Sequence, residues 1–302
     1  MTNTSTTIIK YGVSGIGKTT DDGYSFPNGI FLAAAGALRS IEELCGYQPK
    51  QITVRSLKDA LEAVDNLINL QSKGWAGLDP TDIPDALIVD DFSVMVETFT
   101  LDLQERGIKG FDLWRIIRHN VLLFRDKIQS LHMHCIVNCW EQAPTNKDKK
   151  GLTFFLRGGP KLPSDLPELF PAGFHMALRC RFSHERPGWG AVYQTKGDKD
   201  WTCRDRHNAC PDPAPMNLGE LLRSANYKMS RLALIASWQE DKVEELSQNF
   251  LAYGSPKQFA NENYTLLINE GHHHLHARWT IRDAWDRALI RKANSTRFQN
   301  FI

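Results

Sequence analysis

Gly12, four residues, then Gly17, Lys18 and Thr19 constrain this chain more than any other feature, within the segment IIKYGVSGIGKTTDDG at residues 8 to 23. The spacing G-x-x-x-x-G-K-[ST] belongs to a loop that wraps phosphate, and such a loop needs a strand before it and a helix after it. Residues 7 to 11, TIIKY, are β-branched and aromatic, as a short buried strand should be. The glycines let the backbone curl until successive N–H groups point inward at phosphate oxygens. The N-terminus of the next helix adds partial positive charge. The expected ATP shell is Gly12, Val13, Ser14, Gly15, Ile16, Gly17, Lys18, Thr19 and Thr20. In it, Lys18 reaches the β- and γ-phosphates and the Thr19 hydroxyl holds Mg²⁺. Without nucleotide, Lys18 is expected to face solvent. The competing reading is an ordinary Gly-Ser turn with a surface lysine.

A loop of this kind needs a metal-holding acid at the tip of a neighbouring strand. Residues 85 to 92 read DALIVDDF, in which the apolar run Ala86 to Val89 ends in Asp90 and Asp91. A continuous apolar run suits a strand of a parallel sheet covered on both faces. Asp90 is the expected Mg²⁺ ligand, directly or through water. Asp91 either polarises the attacking water or orients Asp90. The plainer alternative is a buried strand ending in a solvated acidic turn.

The order of elements agrees with an α/β fold. The chain has 302 residues, 42% of them hydrophobic, which allows one large α/β domain with an appendage, or two domains. Gly23, Pro27 and Gly29 shorten the helix after the loop. Residues 30 to 38 hold a second strand and its exit, and QITV at 51 to 54 a third. Residues 56 to 71 form an amphipathic helix with a Ser cap. The acidic strand follows, then a strong amphipathic helix over 111 to 131 and a buried strand over 132 to 140. Alternating strands and helices predict a parallel sheet with ligands at the strands' carboxyl ends. Loops are expected over 142 to 167, then strand pairs near 173 to 182 and 189 to 196. The pattern turns helical from Asn217. Three prolines in CPDPAPMN, residues 210 to 217, mark the expected domain boundary.

Other classes are disfavoured. No run of 18 apolar residues occurs, so no membrane span is expected. MTNTSTT at the start lacks the features of a signal peptide, which makes a cytoplasmic protein the expectation. The scattered cysteines, with Cys135 and Cys139 on one face of a strand, read as core residues of a reduced protein and not as a zinc site.

The segments GVSGIGKTT, ALIVDDFS, RGGPKLPSDLPELFP and WTCRDRHNACPDPAPMNLGELLR, within residues 7 to 225, carry a family resemblance. The chain resembles the phage-encoded RecA-like P-loop ATPases, the AAA-domain nucleotide-binding proteins that include single-strand-annealing recombinases. CRDRHN is similar to the Lys-x-Arg element that the KaiC and RadA branch presents to the ATP of the next subunit. That match implies Arg206 as a finger acting in trans, with Arg204 at the lysine position. A guanidinium there would stabilise charge on the transferring phosphoryl group. The alternative is a solvated basic turn. The family often carries a glutamate after the second strand. Here FLAAAGALRS has no acid until Glu42, so Asp91 or Glu141 takes the role or hydrolysis is slow. Asn138, ending a central strand, is either a γ-phosphate sensor or a core-edge asparagine.

The resemblance also implies single-stranded DNA on the loops after the central strands. There, Lys147, Lys149, Lys150, Arg157 and Lys161 supply positive charge, and Phe154 and Phe155 could stack bases. Solvated loops with two core phenylalanines are the alternative. The tail carries Arg278, Arg282, Arg287, Arg291, Lys292 and Arg297 against Asp283 and Asp286. Ile281, Trp285 and Leu289 form its apolar stripe, so it is either a docked amphipathic helix or a basic face for a partner. Four histidines between His272 and His276 could catch a metal, though no acid or cysteine lies close by.

These readings combine into an α/β, RecA-like P-loop NTPase core over 1–212, with a mainly parallel sheet, and a helical C-terminal region over 213–302. It binds ATP and Mg²⁺ and hydrolyses ATP between subunits of a homo-oligomer. DNA recombination or annealing is the first functional reading. A phage assembly ATPase acting on proteins and a pseudo-ATPase with structural nucleotide are the others. The net charge of +1 mildly disfavours a strong DNA binder.

Overall fold

Strands that are apolar on both faces need helices on both faces, and the computed structural model has that form. It describes residues 5–79, 82–149, 152–183, 191–227, 237–253, 255–269, 280–281, 284–285 and 287–289. The first half runs β1 (Thr7–Gly12), α1 (Lys18–Ser25), β2 (Ile30–Ala33), α2 (Arg39–Cys45), β3 (Lys50–Thr53), α3 (Leu57–Ser72), β4 (Ala86–Asp90), α4 (Phe92–Glu105) and α5 (Gly110–Gln129). The second half begins with β5 (His134–Gln142), β6 (Thr145–Lys149), β7 (Leu152–Leu156), β8 (Gly159–Pro160), α6 (Leu166–Leu169), β9 (Met176–Phe182) and β10 (Ala191–Gln194). It continues with β11 (Arg204–Asp205), β12 (Ala214–Pro215), α7 (Leu218–Ser224), α8 (Ser237–Asn249) and α9 (Pro256–Asn269).

Among the described residues the main sheet has the order β12-β10-β9-β1-β5-β4-β2-β3, with β11 beside β9 and β8 beside β5. The strands from β9 to β3 along this order are parallel, β8, β10 and β11 run antiparallel to them, and β12 reverses again beside β10. This mainly parallel, helix-flanked sheet is the α/β architecture expected from the sequence. Alternation divides the core. Ile9, Tyr11, Leu87, Val89, Cys135, Val137 and Cys139 face α3, α4 and α5. Ile8, Phe31, Ile88, Ile136, Leu178 and Tyr193 face α1, α2 and α7.

Local chemistry fixes the ends of several elements. Ser56 and Asp59 form a reciprocal capping box at the start of α3. Gly46, at φ 75°, closes α2 in the left-handed region that glycine enters freely. Neither α2 nor α4 is foreshadowed by the sequence pattern. Residues 145–149 and 152–156, expected as loop, pair as an antiparallel hairpin in which Lys147 opposes Phe154. The packing of the core continues past the prolines at 211–215. β12 pairs with β10, and Leu218, Leu221, Leu222 and Tyr227 are buried against the α1 side of the sheet.

A separate apolar cluster joins Val243, Leu246, Phe259, Leu267, Ile281 and Ala284, with Trp285 at 5.7 Å from Phe250. Among the described tail residues, Ile281, Ala284 and Trp285 pack into this cluster. Arg287, counted above with a basic face, is instead 7% exposed and lies 3.3 Å from Glu220. The segment from His272 to His276, and Arg278, Arg282, Arg291, Lys292 and Arg297, lie outside the described residues, as does Lys150. Among the described residues, no helix is long and apolar enough to cross a membrane.

Candidate active site

The loop leaves the carboxyl end of β1 and enters α1 at Gly17, whose φ of 99° lies in the left-handed region. Gly12 is required for a different reason. A Cβ there would stand 2.5 Å from the Cys180 carbonyl oxygen on β9. Val13, Ser14 and Gly15 are exposed, while Ile16 and Thr20 are buried and pin the loop to the core. No side chain caps α1 at Gly17, so its first N–H groups are left for an anion.

Lys18 does not face solvent as expected. It is 7% exposed, and its ammonium donates to the carbonyls of Gly12 at 3.0 Å and Val13 at 3.1 Å. A buried ammonium must find acceptors, and the loop's own carbonyls are within reach.

Asp90 is not on the strand next to β1. β5 lies between β1 and β4, so the acid sits two strands away. Helix α1 closes that gap, because the Thr19 hydroxyl donates to Asp90 Oδ2 at 2.6 Å. Hydroxyl and carboxylate oxygens side by side, at the foot of an uncapped helix N-terminus, suit the hard oxygen preference of Mg²⁺. These residues fit a triphosphate with its metal.

Asp91 is the N-cap of α4 and accepts from the Ser93 N–H at 2.8 Å. Burial, with the Asp90 charge beside it, pushes its carboxyl up to about 7. Because the folded value lies above the unfolded one, this proton's contribution to stability is fully present below about pH 4. It is lost as pH rises to about 7. Asp91→Asn keeps the capping acceptor and cannot ionise. Without Mg²⁺ it should gain about 1–2 kcal/mol on wild type at pH 8 and nothing at pH 4, after discounting for partial exposure. Urea unfolding across that range checks the expectation. A constant difference at every pH would contradict it.

Beneath α1 lies a charged network that the sequence reading missed. Lys10, fully buried on β1, is 3.2 Å from Asp21 and 2.5 Å from Asp22, and donates to the Lys18 carbonyl at 3.1 Å. Tyr193 donates a short hydrogen bond to Asp21, whose other oxygen accepts the Leu218 N–H at 3.1 Å. Burial pushes the Lys10 ammonium down, but the charges of Asp22 and Asp21 outweigh it and hold it well above its usual range. Burial pushes the Asp22 carboxyl up against the pull of Lys10. The signal was a lysine in the middle of a strand buried on both faces, which needs an internal partner.

Asn138 belongs to this network. It pairs in register with Lys10, two residues short of Gly12, is fully buried, and donates to Asp22 at 2.6 Å. Its amide is turned to α1, below the loop. Glu141, one residue beyond the partner of Gly12, accepts from Arg179 Nε at 3.0 Å. The Arg179 guanidinium lies over the Trp201 ring, 3.3 Å from its centroid.

The remaining candidates are spread out. Arg204 and Arg206 stand beside the start of β9, at the end of the sheet away from the loop. Their guanidinium groups donate to the Ala172 carbonyl at 2.9 and 2.6 Å. At roughly 3.3 Å per strand residue, this chain's own loop is well over 10 Å away. Arg157 is 3.9 Å from Glu168, and Lys161 lies over the Trp140 ring at 4.9 Å. Lys147 and Lys149 are on the hairpin strand β6.

No family model matches the chain, and no curated protein does. Among solved structures, the chain is similar to the KaiC-like protein PH0186 from Pyrococcus horikoshii OT3. The identity is 15%, covering 62% of this chain and 76% of that one, with a TM-score of 0.33. A likeness that loose assigns no activity.

Proposed function

We propose that this chain binds ATP with Mg²⁺ on the loop from Gly12 to Thr20 and hydrolyses it slowly as an isolated protomer. The contact of Thr19 with Asp90 supports the reading most directly, because it joins two metal-binding oxygens that are 71 residues apart. When bound, Mg²⁺ would neutralise charge on the phosphate oxygens. Lys18 would exchange the carbonyls of Gly12 and Val13 for phosphate oxygens. The first N–H groups of α1 would hold the oxygens that do not transfer. Slowness follows from the acids. Asp91 caps a helix and Glu141 is held by Arg179, so at each carboxylate a bound donor competes with water.

Lys18→Ala tests the reading. ATP affinity should fall by about two orders of magnitude, since hydrogen bonds to charged groups contribute up to roughly 3 kcal/mol. Calorimetric titration with ATP and Mg²⁺ measures it, with circular dichroism as the check on folding. Wild-type affinity in the variant would refute the loop assignment.

The finer reading is a homo-oligomer acting on single-stranded DNA in recombination or annealing. Phe155, half-exposed, with Arg157 and Lys161, supports it. Binding of single-stranded DNA that weakens steeply with salt is the expected result, and binding insensitive to salt would count against it.

A further inference from the structure

We propose that Arg179, stacked on Trp201 and aimed by Glu141, holds the nucleobase of the bound triphosphate; the inference rests on the nucleotide reading above. A cleft of about 640 Å³ opens beside the loop, lined by Val13, Ile16, Arg179, Phe182 and Trp201 among others. Its size is that of a small-molecule site.

Its position follows from the sheet. Asp90, with the metal-binding Thr19, lies on the β5–β4 side of β1, and the cleft lies on the β9–β10 side. A triphosphate whose outer end is at Asp90 must send its ribose and base out on the opposite side, into the cleft.

The wall of the cleft is built, not incidental. A Cβ on Gly158 would stand 2.5 Å from the Trp201 ring, so backbone backs one face of the indole. Arg179 lies over the ring, and its Nε is fixed by Glu141 at 3.0 Å. Asp198 accepts the N–H groups of Asp200 and Trp201, each at 2.7 Å, and this fixes the turn that presents the ring. Arg179 remains 17% exposed, and among the described residues its two Nη nitrogens make no hydrogen bond. A planar guanidinium with one face on an aromatic ring offers its edge and its open face to a second π-system. Glu141 is then a positioning residue for Arg179 and not a base for water.

The test compares ATP with inorganic tripolyphosphate, both with Mg²⁺, by calorimetric titration of the full chain. Arg179→Lys keeps the charge and removes the plane. It should lower ATP affinity about tenfold, the scale of one base stack, and leave tripolyphosphate affinity within about twofold. Glu141→Gln, which loosens Arg179 by removing its anion, should lower the ratio of ATP to tripolyphosphate affinity in the same direction. It carries the same expectation should Arg179→Lys fail to fold. An unchanged ratio in both variants, from a wild type that binds both ligands, overturns the base assignment alone. A wild type that binds neither ligand overturns the nucleotide reading and this inference with it.

Discussion

Lys10→Met should destabilise the fold by about 3–5 kcal/mol, the cost of leaving a buried charge without its partner. The side chain is completely buried, and its ammonium faces two carboxylates, of Asp21 and Asp22, at 3.2 and 2.5 Å. Methionine fills similar space but removes the cation. Urea unfolding at neutral pH reads the loss. The double variant Lys10→Met with Asp22→Asn removes the stranded charge nearest to it and keeps an acceptor for Asn138. It should regain more than half of the stability. A single variant within about 1 kcal/mol of wild type would contradict Lys10 as the cation that holds this network together.

Arg206→Ala should leave ATP binding intact and lower turnover by roughly three to five orders of magnitude if Arg206 is a finger for a neighbouring protomer. Its place at the far end of the sheet, tied to the Ala172 carbonyl, rules out action on its own loop. Subunit mixing makes the test sharp. Lys18→Ala keeps the finger and lacks a working loop, whereas Arg206→Ala keeps the loop. Mixed in one oligomer, some interfaces combine a sound loop with a sound finger, so activity should exceed that of either variant alone. No recovery from subunits shown to exchange, or full turnover by a monomer, would return Arg204 and Arg206 to a structural role. In that role they satisfy the Ala172 carbonyl in the short turn at Pro171–Gly173.

The loop and Asp90 were legible because their chemistry is written locally, as a spacing and as an apolar run that ends in acid. The continuous apolar runs of β4 and β5 likewise announced a sheet covered on both faces. What the sequence hid was pairing across distance. Glu141 and Arg179 are 38 residues apart and meet because β5 and β9 flank β1. Asn138 reads from the sequence as either a γ-phosphate sensor or a core-edge asparagine. The period of two and its register with Lys10 put it under α1. The hairpin at 145–156 was missed because TNKDK has no apolar alternation, and its backbone pairing is supplied by LTFFL across the turn. Lys18 was misplaced for an energetic reason. An ammonium within reach of the loop's carbonyls folds back onto them.

On the proposed reading, Thr19 and Asp90 form a Mg²⁺ site on the phosphate loop. ATP titrated into wild type and Asp90→Asn, each with Mg²⁺ and with a chelator, tests it most directly. Wild type should bind ATP at least about tenfold more tightly with Mg²⁺, a difference of roughly 1.4 kcal/mol. Asp90→Asn should lose most of that difference while keeping its affinity in chelator, and Asp91→Asn should keep the difference. Equal Mg²⁺ dependence in wild type and Asp90→Asn would contradict the account.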